Sequence, residues 1–134
     1  MNKLLSRYIP LLIAIIAPLI LVSCDSGTIT QPSQVIFPDS AVSFGRHVLP
    51  LFELGCAGSG CHNELDQAGD LSLVSYFDLF RRPGIVRPGD SASSVLGQIV
   101  SGRLPHIEAP ISRIINQNQR RGILIWLQEG ASNN

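Results

Sequence analysis

Cys56-Ala57-Gly58-Ser59-Gly60-Cys61-His62 is the stretch on which the reading of this 134-residue chain turns. Two thiols and an imidazole stand in the order that attaches a haem covalently: each thiol adds across a porphyrin vinyl group, and the histidine after the second cysteine binds the iron. The usual signature leaves two residues between the cysteines. Here four intervene, Ala57, Gly58, Ser59 and Gly60, all small enough for a longer loop to bulge beside a ring. The same residues also admit a Cys56–Cys61 disulfide, or a zinc site shared with His62 and one more histidine.

The flanking segments carry a resemblance. Val42-Ser43-Phe44-Gly45-Arg46-His47-Val48-Leu49-Pro50-Leu51-Phe52 resembles the opening helix of small bacterial c-type cytochrome domains. Pro88-Gly89-Asp90-Ser91 followed by Ser94-Val95-Leu96 resembles their PGDPxxSLL segment. Gly102-Arg103-Leu104-Pro105-His106 resembles their G-x-M-P segment, with Leu104 where the methionine belongs, and Ile125-Trp126-Leu127-Gln128-Glu129-Gly130-Ala131 resembles their closing RWIDEGA helix. The resemblance covers residues 41 to 132. It implies an all-α, cytochrome c-like bundle of about four short helices around one covalently bound haem c. Cys56 and Cys61 would form the thioethers, and His62 would be the proximal iron ligand.

The two departures are the wider cysteine spacing and the missing methionine. The only methionine is Met1. The sixth iron position therefore falls to His106, to His47, or to no side chain. His106 is the first choice because it lies on the loop that resembles the distal-ligand loop. Histidine in place of methionine lowers the potential, and an open position permits small-ligand binding.

The N-terminal stretch agrees with export. Lys3 and Arg7 precede an apolar run, Ile9 to Val22, broken only by Pro10 and Pro18. Its fourteen residues suit a signal peptide and fall short of the roughly 20 that span a bilayer. Leu21-Val22-Ser23-Cys24 matches the lipobox of bacterial lipoproteins. Cleavage before Cys24 and its acylation would anchor the chain firmly, since several acyl chains hold where one is marginal. The expected organisation is a lipoprotein signal over residues 1–23, a lipidated flexible tether over 24–40 and a cytochrome c domain over 41–132. Val35, Ile36 and Phe37 leave a short early strand as the alternative to a tether. The expected location is the bacterial cell envelope, facing the periplasm or exterior.

Ten basic and ten acidic residues balance, with no basic run and few aromatics, so nucleic acid is not an expected partner. No serine-nucleophile motif, phosphate loop or usefully spaced carboxylate pair is present, and Asp66 and Asp70 read as solvated loop acids. Arg81, Arg82, Arg87 and Arg103 read as surface charges or as partners of haem propionates. A single domain of this size gains a large apolar core element if it takes up a haem.

Periodicity supplies the helices. Phe44, Val48, Leu51 and Phe52 share one helical face, Ser43 or Ser40 can cap it, and Pro50 predicts a kink or break. Leu71 and Leu73 point inward, and Ser75 opens a short helix with Phe77 and Phe80 as core residues. Asp90 or Ser91 opens a helix with an apolar stripe of Ala92, Val95, Leu96, Ile99 and Val100, stopped by Gly102. Asn116 with Gln119 predicts a capping box for a last helix that is apolar all round from Ile123 to Leu127. Such a helix must be covered on both faces, here by the first helix and the haem. Gly122 is expected to let it cross the first helix closely near Gly45.

Electron transfer between extracytoplasmic redox proteins is the function this implies, without enzymatic activity. A haem-based gas or redox sensor with an open sixth position is the second reading. A non-haem lipoprotein domain held by a disulfide or zinc at Cys56 and Cys61 is the third.

Overall fold

The last helix, α5 (Gln117–Gln128), carries its own start and stop signals. A computed structural model describes residues 27–106 and 109–134. The expected signal segment and Cys24 lie outside the described residues. Asn116 accepts from the Gln119 N–H at 3.0 Å, and the Gln119 side chain accepts from the Asn116 N–H at 2.9 Å, the reciprocal box read from the sequence. At the other end Gly130, at φ +102°, and Ala131 donate to the carbonyls of Leu127 and Trp126. This pair of bonds satisfies carbonyls that the helix itself leaves without donors.

Among the described residues four shorter helices precede it: α1 (Leu49–Gly55), α2 (Asp78–Arg81), α3 (Val95–Val100) and α4 (Ile111–Ile114). Single 3-10 turns lie at Pro32–Gln34 and Ala68–Asp70. Among the described residues there is no strand, so the fold is all-α. No described helix is long and apolar enough to cross a membrane.

α1 does not start as a regular helix. Phe44–Val48 winds as a π turn and runs straight into α1. The Val48 N–H reaches back five residues to the Ser43 carbonyl, and the Leu49 N–H does the same to Phe44. Pro50 is the physical reason, since its ring would collide with the carbonyl four residues back in an α turn and it has no N–H to donate. The expected kink or break is thus a wider turn. Ser43 is the cap, accepting from the Arg46 N–H at 3.3 Å.

The segment read as a tether is packed at two of its residues. Val35 and Phe37 are 1% and 3% exposed. Gln119 donates to the carbonyls of Pro32 and Val35, Asn118 bonds both backbone groups of Phe37, and Glu129 accepts from the N–H groups of Ala41 and Val42. Polar side chains of α5 and its C-cap Glu129 therefore supply what a strand neighbour would, and no strand forms. This strap also corrects the expected role of Gly122. A Cβ there would overlap the Phe37 ring, so the close approach is to the strap and not to Gly45.

Two further expectations fail for reasons of tertiary packing. Phe77 is 73% exposed and Phe80 lies at the surface against Tyr76, while Leu79 is fully buried in their place. α3 begins at Val95 after the fully buried Ser94, leaving Ala92 outside the helix and exposed. Ser94 holds the preceding turn, donating to Asp90 and accepting from the Arg87 N–H at 2.8 Å. α5 is covered on both sides, as expected for an apolar run. Trp126 meets Phe44 on one side, and α3 and the cavity described next occupy the other.

Candidate functional site

α1 ends where the cysteine loop begins. The N–H groups of Cys56 and Ala57 both donate to the Phe52 carbonyl at 2.8 Å. The loop then closes on itself: Cys61 donates to Gly58, and His62 donates to the Cys56 carbonyl at 3.0 Å. Gly60, at φ +76°, takes the left-handed conformation the bulge needs.

Two side chains hold this loop: Asn63, which carries no motif, and Asp66, read from the sequence as a solvated acid. The Asn63 side chain accepts from the N–H groups of Leu65 and Asp66 and donates to the Gly58 carbonyl. The Asp66 carboxylate accepts from the Gly60 N–H and from the Asn63 amide, each at 2.7 Å. The Asn63 amide, and then the Gly60 N–H, hold the Asp66 carboxyl below its ordinary value. Asp66 is thus more than a solvated acid. The spacing Asn-x-x-Asp after a small-residue loop was the available signal, because asparagine bonds its own backbone two or three residues on.

Behind the loop lies a cavity of about 330 Å³, within the roughly 300–1,000 Å³ of small-molecule sites. Its wall is mostly aliphatic and aromatic, with Phe52, Leu71, Leu73, Ile99, Ile111 and Ile123 among its residues. Leu71 and Leu73 point inward, as their pattern predicts. Cys56, Cys61, His62 and His106 supply its polar side chains. The two cysteines are free thiols. Burial, and secondarily Cys61, push the Cys56 thiol up to about 12, so it stays uncharged at neutral pH.

His62 is fixed at three points. Its N–H bonds Cys56, its carbonyl accepts from the Leu73 N–H at 2.9 Å, and its Nδ1 lies 3.2 Å from the Leu71 carbonyl. A carbonyl only accepts, so Nδ1 donates in this contact, and Nε2 is the ring nitrogen left over for another partner. Metal-binding histidines characteristically have this second contact.

His106 reaches the same cavity from the loop before α4. Its ring centroid lies 6.1 Å from that of His62, with the planes at 70°. Two imidazoles bound through nitrogen to one metal, each at about 2.0 Å, bring their centroids roughly 6 Å apart. The His106 Nδ1 is buried and has no hydrogen-bond partner among the described residues, where buried polar atoms are ordinarily paired. Leu104, at the expected methionine position, is exposed and lines no part of this cavity. His47 also lies elsewhere, accepting from the Ser43 N–H at 3.0 Å and packing on Phe37. None of Arg81, Arg82, Arg87 and Arg103 lines the cavity. Arg81 pairs with Asp78, Arg82 bonds the Gly69 carbonyl, and Arg103 bonds the Ala92 carbonyl.

Compared with protein-family models, curated proteins and solved structures, the chain matches none.

Proposed function

We propose that this chain is a lipid-anchored, monohaem c-type cytochrome that passes single electrons between extracytoplasmic redox proteins. The observation that carries the reading is the pairing of His62 with His106 across an apolar cavity whose wall also holds Cys56 and Cys61. Cys56 and Cys61 would form thioethers by adding S–H across the two vinyl groups, with nothing lost. His62 and His106 would hold the iron through their imidazole nitrogens. Iron in such a ring supplies a one-electron couple.

The chain does the rest. The Leu71 carbonyl orients His62 and makes it a better donor. Asn63 and Asp66 hold the loop between the thiols. The aliphatic wall excludes water and sets the dielectric around the site, which tunes a potential. The Cys24 lipobox supports membrane attachment from the outer side.

The test is the mass and the pyridine haemochrome spectrum of mature protein made with a cytochrome c maturation system that accepts the wider spacing. One haem per chain is expected, surviving denaturation. Mature protein with both thiols free, or joined as a disulfide, overturns the reading in favour of the structural one.

A further inference from the structure

A second cavity, of about 500 Å³, opens beside the first and shares Pro105, His106 and Ile111 with it. Its character differs. Among the described residues lining either cavity, Arg120 is the single one with a permanent charge. Arg120 is also held in place: its Nε donates to the Val100 carbonyl at 2.6 Å. One terminal nitrogen lies 3.8 Å from where a Cβ on Gly102 would stand. Its terminal N–H groups have no partner among the described residues. The neighbouring Arg121 is engaged by Asp39, and Arg103 by Ala92 and Ser101. His106 is the other titratable side chain lining this second cavity among the described residues.

A pre-oriented guanidinium with donors to spare suits a carboxylate. A ligand with an apolar body and acidic substituents fits the two cavities together. Its body can lie against the aliphatic wall, but its carboxylates cannot stay there unpaired. We propose that Arg120 is the receiving group for the propionate carboxylates of the ring in the main cavity, an assignment that rests on the haem reading above. It replaces Arg81, Arg82, Arg87 and Arg103, which line neither cavity.

The experiment compares haem-loaded wild type, Arg120→Met and Arg120→Lys. Mass spectrometry first establishes that each carries one haem. Resonance Raman spectroscopy then reads the propionate bending band, which moves with hydrogen bonding to the carboxylate. Arg120→Met is expected to shift the band, and Arg120→Lys, which keeps a charged donor but also loses the Val100 bond, to bring it back toward wild type. A band unchanged in Arg120→Met overturns the assignment and leaves the haem reading intact. Equal shifts in both variants also overturn it, since lost packing then explains the change. Wild type that matures without haem overturns both.

Discussion

His62 and His106 hold their imidazoles 6.1 Å apart, centroid to centroid, across one apolar cavity. The two are not equivalent. His62 is anchored by the Leu71 carbonyl, whereas the buried Nδ1 of His106 has no partner among the described residues. One side of the site is built into the loop, and the other depends on what fills the cavity.

That asymmetry predicts the effect of substitution. Haem-loaded wild type should be low-spin and lack the sulfur-to-iron band of methionine ligation. His106→Ala should turn the iron high-spin and let the reduced protein bind carbon monoxide. His47→Ala should leave the spectrum unchanged, since His47 packs on Phe37 and accepts from the Ser43 N–H. Absorption spectra of the three proteins check this. A wild type that is already high-spin and binds carbon monoxide turns the reading from electron carrier to sensor.

Gly122→Ala should destabilise the protein although alanine is the better helix former. The propensity gain of about 1 kcal/mol is set against a Cβ that overlaps the Phe37 ring. Overpacking of this kind costs about 1–3 kcal/mol, so the melting temperature should fall. Phe37→Leu in the same chain should recover part of the loss.

Asp66→Ala should loosen the cysteine loop, seen as faster amide exchange at Gly60. The pH dependence has a definite sign. The carboxyl is depressed in the folded protein, chiefly by Asn63 and then by Gly60. Its contribution is therefore present above the ordinary carboxylate value and is lost as pH falls through the lower, folded one. The melting-temperature difference between wild type and Asp66→Ala should close in acid.

Cys24→Ala should abolish acylation and signal cleavage by the lipoprotein pathway, because the Leu21-Val22-Ser23-Cys24 lipobox supplies the only thiol there. Labelling with radioactive fatty acid measures it. Undiminished labelling would rule the lipobox out.

How much of this was legible depends on how far apart the partners stand. Asn116 and Gln119, Ser43 and Arg46, and Gly130 at the end of α5 act within a few residues, so their roles can be read directly. The strap could not be read that way. Val35, Ile36 and Phe37 form a short apolar run in a polar stretch, open to a linker or a strand reading, and the partners Asn118 and Gln119 are more than eighty residues away. Phe77 and Leu79 differ little in hydrophobicity, so only packing decides which is buried.

The sequence by itself determined the chemistry on offer: two thiols and a histidine in one short loop, a histidine on a later loop, no methionine in the expected domain, and helices marked by their caps. Those are properties of residue type and local spacing. Only the tertiary structure decided that His106 and not His47 shares a cavity with His62, that Val35, Phe37 and Val42 belong to the core, and that Arg120 is the arginine beside the site. The physical reason is the same in each case. These relationships join segments distant in sequence, and packing of the whole chain, not any local preference, brings them together.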